Sequence, residues 1–170
     1  MLEKYEPNFD ESSFIKSFME ARGLRTKKEA LAILRKEIKK EPYYQDKIEK
    51  ALKAKYPKAY IVKISQSMYS QAGIPDIMMI YCGHYFGFEV KRPVVGVPSK
   101  LQEETIRKIT AAGGTALFVR WPEEAIQAVE GYVEENLRNA GAQIVAGIGD
   151  VIRGSAETLM GNQVSYSRRR

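Results

Sequence analysis

Two apolar runs, DIMMIYC (76–82) and YFGFEVK (85–91), separated only by Gly83 and His84, constrain this chain more than any other feature. Aromatic and branched residues in short runs bounded by glycine read as strands, and a two-residue spacing predicts a tight antiparallel hairpin. Glycine at the first turn position takes a positive φ at little cost. This register sets Cys82 opposite Tyr85, Met78 opposite Glu89 and Asp76 opposite Lys91. Opposed residues share a sheet face and the pleat has a period of two, so Asp76, Glu89 and Lys91 project from one side.

That constellation has a chemical reading. Diagonal neighbours such as Asp76 and Glu89 stand roughly 7 to 8 Å apart at the backbone, a span two carboxylates can bridge by gripping one cation. Two hard oxygen ligands with positions left for water and phosphate describe a Mg²⁺ or Mn²⁺ site. A zinc cage does not fit, because the chain has one cysteine, Cys82, and one histidine, His84, which falls in the turn at the far end of the hairpin. Lys91 directs a cation at the same spot, where it can position an attacking hydroxide and offset charge on a phosphorane. The plain alternative is an exposed Asp76–Lys91 ion pair with Glu89 solvated beside it, worth under about 1 kcal/mol. The bulky apolar neighbours in IMMIY and FGFEV argue for a buried sheet, in which unpaired carboxylates are costly.

The rest of the chain supplies the frame. Residues 12–40 read as a helical arm, with Thr26 and Glu29 as a capping box and Leu31, Leu34 and Ile38 on one face. Tyr44, Ile48 and Leu52 recur every four residues in a helix that should stop before Pro57. Ile61, Val62 and Ile64 mark a strand within 59–65. Ser99 begins a helix through Ala112, closed by Gly113 and Gly114, before the strand TALFVR. Pro122 opens a last helix with Ala125, Ile126, Val129, Val133 and Leu137 facing inward. This order predicts an α/β fold, a mixed sheet flanked by helices with an N-terminal helical arm. The predicted organisation is an arm over 1–42, a core over 43–137 and a basic tail over 138–170, whose glycines at 141, 147, 149, 154 and 161 are expected to break any long helix.

Composition bears on partners. The 170 residues carry 27 Lys and Arg against 21 Asp and Glu, a net charge of +6, which favours a polyanion such as nucleic acid. Part of the excess is the terminal run Arg168, Arg169 and Arg170. No apolar run approaches the roughly 18 residues that cross a bilayer, so no membrane association is expected. MLEKYEPNFDESS carries charges where a secretory signal has its apolar stretch, and a lone cysteine suits a reducing, intracellular (cytoplasmic) setting.

In order along the chain, GIPD, EVK, SKLQ and AAGG followed by a strand resemble the PD-(D/E)XK nuclease superfamily, and more narrowly its VRR-NUC branch, from about Tyr44 to Val133. The resemblance implies a restriction-endonuclease-like core in which Asp76 and Glu89 bind a catalytic Mg²⁺ (or Mn²⁺), joined by the Val90 carbonyl, with Lys91 as the catalytic lysine. Gln102 matches the family's glutamine on the following helix, which orients the lysine or the phosphate; Ser99 with Gln102 is equally a capping box. Glu49 resembles an acid on the first core helix that approaches the metal, with Glu41 and Asp46 competing for that role. Lys63, Arg92 and Lys100 are candidate phosphate contacts, and Tyr69 and Gln71 candidate DNA contacts, with surface solvation or loop filling as the plain alternative. The branch includes small resolvases that cut branched DNA as symmetric dimers, which suits the two equivalent strands of a four-way junction. A phage or bacterial origin accords with that resemblance alone. The expected activity is metal-dependent endonuclease cleavage of branched DNA, with a catalytically silent nucleic-acid-binding module and a sequence-preferring restriction-like nuclease as alternatives.

Overall fold

The computed structural model describes residues 4–64 and 73–167, with side-chain surroundings given through residue 144 and at Ile148. The chain divides into two compact units, Met1–Ala128 and Val129–Arg170. The first unit begins with two short helices. α1 (Glu11–Arg22) starts at Asp10, whose side chain accepts the Ser12 N–H, and ends at Gly23 in the left-handed conformation. α2 (Lys27–Glu37) starts at the predicted capping box, Thr26 and Glu29 each bonding the other's backbone N–H. Leu34 and Ile38 are buried and Leu31 partly so.

α3 (Glu41–Lys55) carries the predicted stripe of Tyr44, Ile48 and Leu52, all buried, and ends before Pro57. Each such side chain removed from water contributes about 1.5–3 kcal/mol. The strands β1 (Tyr60–Lys63), β2 (Ile77–Tyr81), β3 (His84–Val90) and β4 (Thr115–Val119) form one sheet in that order. β1–β2 and β2–β3 are antiparallel and β3–β4 is parallel, the crossover between them being α4 (Lys100–Ala111). This is the expected α/β arrangement, a mixed sheet flanked by helices with a helical arm at the N-terminus. α3 covers one face, where Tyr56 packs 5.1 Å from Tyr81, and α4 lies on the other. Ile77, Met79, Phe86, Phe88 and Val90, on the α3 side, are fully buried.

The hairpin turn differs from the sequence reading. Cys82 and Gly83 form it, not Gly83 and His84, with φ of 51° and 76°. Positive φ at both central residues matches the right-handed twist of the flanking strands. Moving the turn back one residue places His84 in the ladder opposite Tyr81, where its Nε2 lies 2.9 Å from Thr115 Oγ1 and its ring 4.8 Å from that of Phe86. Every predicted pair moves accordingly: Met78 faces Gly87, and one step past Ile77–Phe88 sets Asp76 against Glu89. The predicted pairing of Asp76 with Lys91 is therefore replaced. The shared face survives, because the register changes by an even number of residues and only an odd change reverses the side chains.

α5 (Pro122–Ser167) opens at Pro122, with Glu124 accepting the N–H groups of Arg120 and Trp121. Ala125 and Val129 are buried and Ile126 and Val133 partly so, but Leu137, expected to face inward, is 68% exposed. A helical repeat shows which face is apolar, not how far along it is covered. The second unit is helical through Ser167, so the glycines do not break it as expected. Each costs about 1 kcal/mol relative to alanine in a helix interior, and the intervening Ala, Ile, Leu, Glu, Gln and Arg residues sustain the helix. Among the described residues, no helix is long and apolar enough to cross a membrane.

Candidate active site

The site forms where β2 begins and β3 ends. Asp76, Glu89 and Lys91 are buried, at 3%, 2% and 5% exposure, unusual for charged side chains. Asp76 is held at both ends of the residue: its carbonyl accepts the Ile64 N–H at 2.7 Å, extending the β1–β2 ladder, and its Oδ2 accepts the Val90 N–H at 2.8 Å. Lys91 Nζ donates to Glu89 Oε1 at 2.8 Å, and the Lys91 N–H donates to the Val119 carbonyl at 2.8 Å, fixing the end of β3 against β4.

Gln102 takes the capping role, and its amide reaches Glu89 rather than Lys91, which the resemblance had it orient. Its Oε1 accepts the Ser99 N–H at 2.9 Å while its own N–H donates to Ser99 Oγ, so it completes the cap of α4. Its Nε2 donates to Glu89 Oε1, the oxygen that also receives Lys91. The cap thus orients an amide at the carboxylate from the first turn of α4.

The electrostatics are unbalanced. Burial pushes the Asp76 carboxyl above the usual carboxylate range, with the Val90 N–H and then the Lys91 and Lys63 charges pulling it back. Burial likewise raises Glu89; the Lys91 hydrogen bond opposes this and the Asp76 charge adds to it. Glu41, the first residue of α3, is raised by burial, lowered by Lys91, raised by Asp76 and lowered by Arg92. Asp76, Glu89 and Glu41 thus act on one another and on Lys91, with Lys63 acting on Asp76 and Arg92 on Glu41. Among the described residues, no donor takes Oδ1 of Asp76 or Oε2 of Glu89. This oxygen donor set suits a divalent hard cation. No three His, Cys, Asp or Glu side chains among the described residues already stand close enough to enclose an ion.

The remaining candidates are placed as follows. Glu49 pairs with Lys53 at 2.6 Å, and Asp46 with Lys63, both along the flank of α3. Glu49 lies eight residues beyond Glu41, roughly 12 Å along the helix at about 1.5 Å per residue. Glu41 is the α3 acid whose charge meets the site, and the sequence named it only as a competitor. Lys63 is tied to Asp46, though its charge still reaches Asp76. Arg92, half-buried, donates to the carbonyls of Arg35, Ile38 and Lys39 at 2.7, 2.7 and 2.9 Å. Lys100 is exposed at the start of α4. Val90 is buried between Glu89 and Lys91 with its N–H committed to Asp76. Tyr69 and Gln71 lie outside the described residues.

Fold and site together define an α/β domain with a buried carboxylate–lysine cluster at the strand ends. Comparison with known proteins finds no matching family model and no matching curated protein. Among solved structures the chain is similar to a VRR_NUC domain, at 20% identity and a TM-score of 0.44, over 52% of this chain and 97% of that one.

Proposed function

We propose that this chain is a metal-dependent nuclease that hydrolyses phosphodiester bonds in DNA. The observation that carries the reading is the burial of Asp76, Glu89 and Lys91 on one sheet face, with an excess of carboxylate over ammonium. A structural ion pair has no use for a second acid and a third nearby; a cation site acting on a phosphate does. Asp76 and Glu89 would hold Mg²⁺ or Mn²⁺, with Glu41, whose charge acts on Glu89, a further candidate beside Glu49. The bound ion would supply a water of lowered pKa and Lewis acidity toward the phosphate.

The protein's own groups do the rest. Lys91, held at Glu89, would steer the attacking water and offset charge as the new P–O bond forms and the bond to the leaving oxygen breaks. Gln102 donates to the same Glu89 oxygen that receives Lys91, so the two donors together orient the carboxylate. The net charge of +6 favours the polyanionic substrate. Selectivity for branched DNA, and action as a homodimer, rest on the sequence resemblance to resolvase-like proteins.

The test is cleavage of a labelled four-way junction and its matching linear duplex with Mg²⁺, Mn²⁺ or EDTA, for wild type and Lys91→Ala. Metal-dependent cutting of the junction alone, lost in the variant, supports a resolvase. Equal cutting of both DNAs retains the nuclease and discards branch selectivity. Salt-sensitive DNA binding without cleavage in either metal would replace the proposal with a binding module.

A further inference from the structure

The connector between β3 and α4 is anchored to the site at both ends, and it carries the most exposed large apolar side chain among the described residues. Lys91 precedes it and Gln102 follows it, and both donate to Glu89 Oε1. Between them, Val97 is 76% exposed, and Leu101, four residues on, is 46% exposed. Val97 stands two residues ahead of Ser99, which caps α4 together with Gln102, so its Cα lies within roughly 7 Å of the Ser99 Cα. An apolar side chain is thus displayed at the rim of a site built from Asp76, Glu89 and Lys91.

A single exposed valine on a protein surface is ordinary. This one is held out by a connector that is strained and fixed on both sides. Val94 has a φ of 61°, a left-handed conformation that a side chain branched at Cβ takes only where its surroundings enforce it. They do so here: Pro93 and Val95 are buried, the Val95 N–H donates to the Pro93 carbonyl at 2.6 Å, and the Gly96 N–H donates to the Arg92 carbonyl at 2.9 Å. Gly96 packs so closely that an added Cβ would stand 2.7 Å from both the N and O of Arg92. Arg92 is itself tied through its guanidinium to the Arg35, Ile38 and Lys39 carbonyls. On the far side Pro98 fixes its own φ and restricts Val97 toward extended backbone. Lys100, exposed three residues later, sets a cation close by in the chain.

We infer that Val97 is a specificity-determining residue, which meets the apolar face of an unstacked base beside the phosphate that the site acts on. This rests on the metal-nuclease reading and deepens it, by naming the part of the substrate that the rim reads. Phosphates are met by cations, and the apolar surface that DNA offers is the face of its bases. Stacking covers those faces in continuous duplex. An apolar side chain inserted at a base step must unstack it, at a cost that is least where pairing is already broken. The Val97 contact therefore favours DNA interrupted at a branch over linear duplex.

The experiment uses the full chain with two DNAs, a four-way junction carrying 2-aminopurine at the branch point and a linear duplex carrying it at the same sequence position. Fluorescence is read with Ca²⁺ and cleavage with Mg²⁺ or Mn²⁺, for wild type, Val97→Ser and Val97→Leu, with circular dichroism confirming that each is folded. Wild type should raise the fluorescence of the junction as the base unstacks, and Val97→Ser should lose most of that rise. KM for the junction should increase about tenfold in Val97→Ser, the change expected when one apolar side chain is no longer buried, and KM for the linear duplex should increase less. Val97→Leu should keep both the rise and the KM of wild type. A wild-type rise and KM in Val97→Ser overturn the inference, as does an equal loss on both DNAs or the absence of any rise with wild type. A Val97→Ser variant that keeps the rise but elutes from gel filtration as a smaller species assigns the side chain to contact between copies, and also overturns it. Wild type that unstacks the junction base but cuts neither DNA in either metal overturns the nuclease reading instead, with the Val97 contact standing.

Discussion

Lys91 and Glu89, two residues apart on one strand face, form a buried ion pair with Nζ 2.8 Å from Oε1. The pairing holds the ammonium ready at a carboxylate that also serves the proposed cation. Lys91→Ala should therefore reduce cleavage by about 10²–10³-fold, the usual cost of losing one group that stabilises transition-state charge. Mn²⁺ binding should persist or tighten, because a Glu89 oxygen is released. Parallel measurement of cleavage rate and Mn²⁺ affinity checks this, and full cleavage in the variant would remove Lys91 from the chemistry.

Stability should depend on pH in the sense opposite to that of a salt-bridged acid. Asp76, Glu89 and Glu41 all have carboxyl groups raised by burial in the native chain. The folded state then holds their protons more tightly than the unfolded chain does, so the metal-free protein pays for ionisation at neutral pH. It should gain stability as pH falls through the raised values, the gain ending at the ordinary carboxylate values near about 4. Asp76→Asn should flatten this rise and increase the metal-free Tm at pH 7. Mg²⁺ at about 100 times its Kd should stabilise wild type by about 2.7 kcal/mol and the variant much less. Thermal melts across pH, with and without Mg²⁺, decide it; an Asn variant that melts lower at pH 7 would contradict the assigned strain.

Gln102 joins helix capping to the site, and two substitutions separate the roles. Ser99→Ala removes the side chain that accepts the Gln102 N–H and should cost about 1 kcal/mol of stability with cleavage largely kept. Gln102→Leu also frees Glu89 of its amide donor and should lower cleavage as well as stability. Equal effects of the two on cleavage would show that the amide matters only to the helix.

Gly96 tests the link behind Lys91. A methyl group there meets the Arg92 backbone at 2.7 Å and Lys91 Cβ at 3.0 Å, and backbone atoms cannot swing aside as a side-chain end can. Gly96→Ala should cost about 1–3 kcal/mol and lower cleavage by displacing Lys91. Denaturant melts and cleavage rates report both, and a wild-type Cm would show that the loop accommodates the methyl group.

Much of this protein was legible in its residue order. The Thr26–Glu29 cap, the Tyr44–Ile48–Leu52 stripe and the placing of Asp76, Glu89 and Lys91 on one face follow from local rules: a cap needs a side-chain oxygen, a helix repeats every 3.6 residues, and a strand alternates. Local rules also hid what they do not govern. The hairpin turn moved to Cys82–Gly83 because His84 gains Thr115, a residue 31 positions away, and only the face, not the partner, was safe from that change.

The acids of α3 show the same division. Glu41, Asp46 and Glu49 are equivalent as text, and their helix was correctly placed, but which one meets the site depends on how α3 lies across the sheet. Arg92, next to Lys91, read as a phosphate contact until the fold set the end of α2 beside it. The sequence by itself determined which elements form and which side chains share a face, since those depend on backbone geometry over a few residues. Only the tertiary structure decided which charges meet, because that depends on long-range packing that no local spacing encodes.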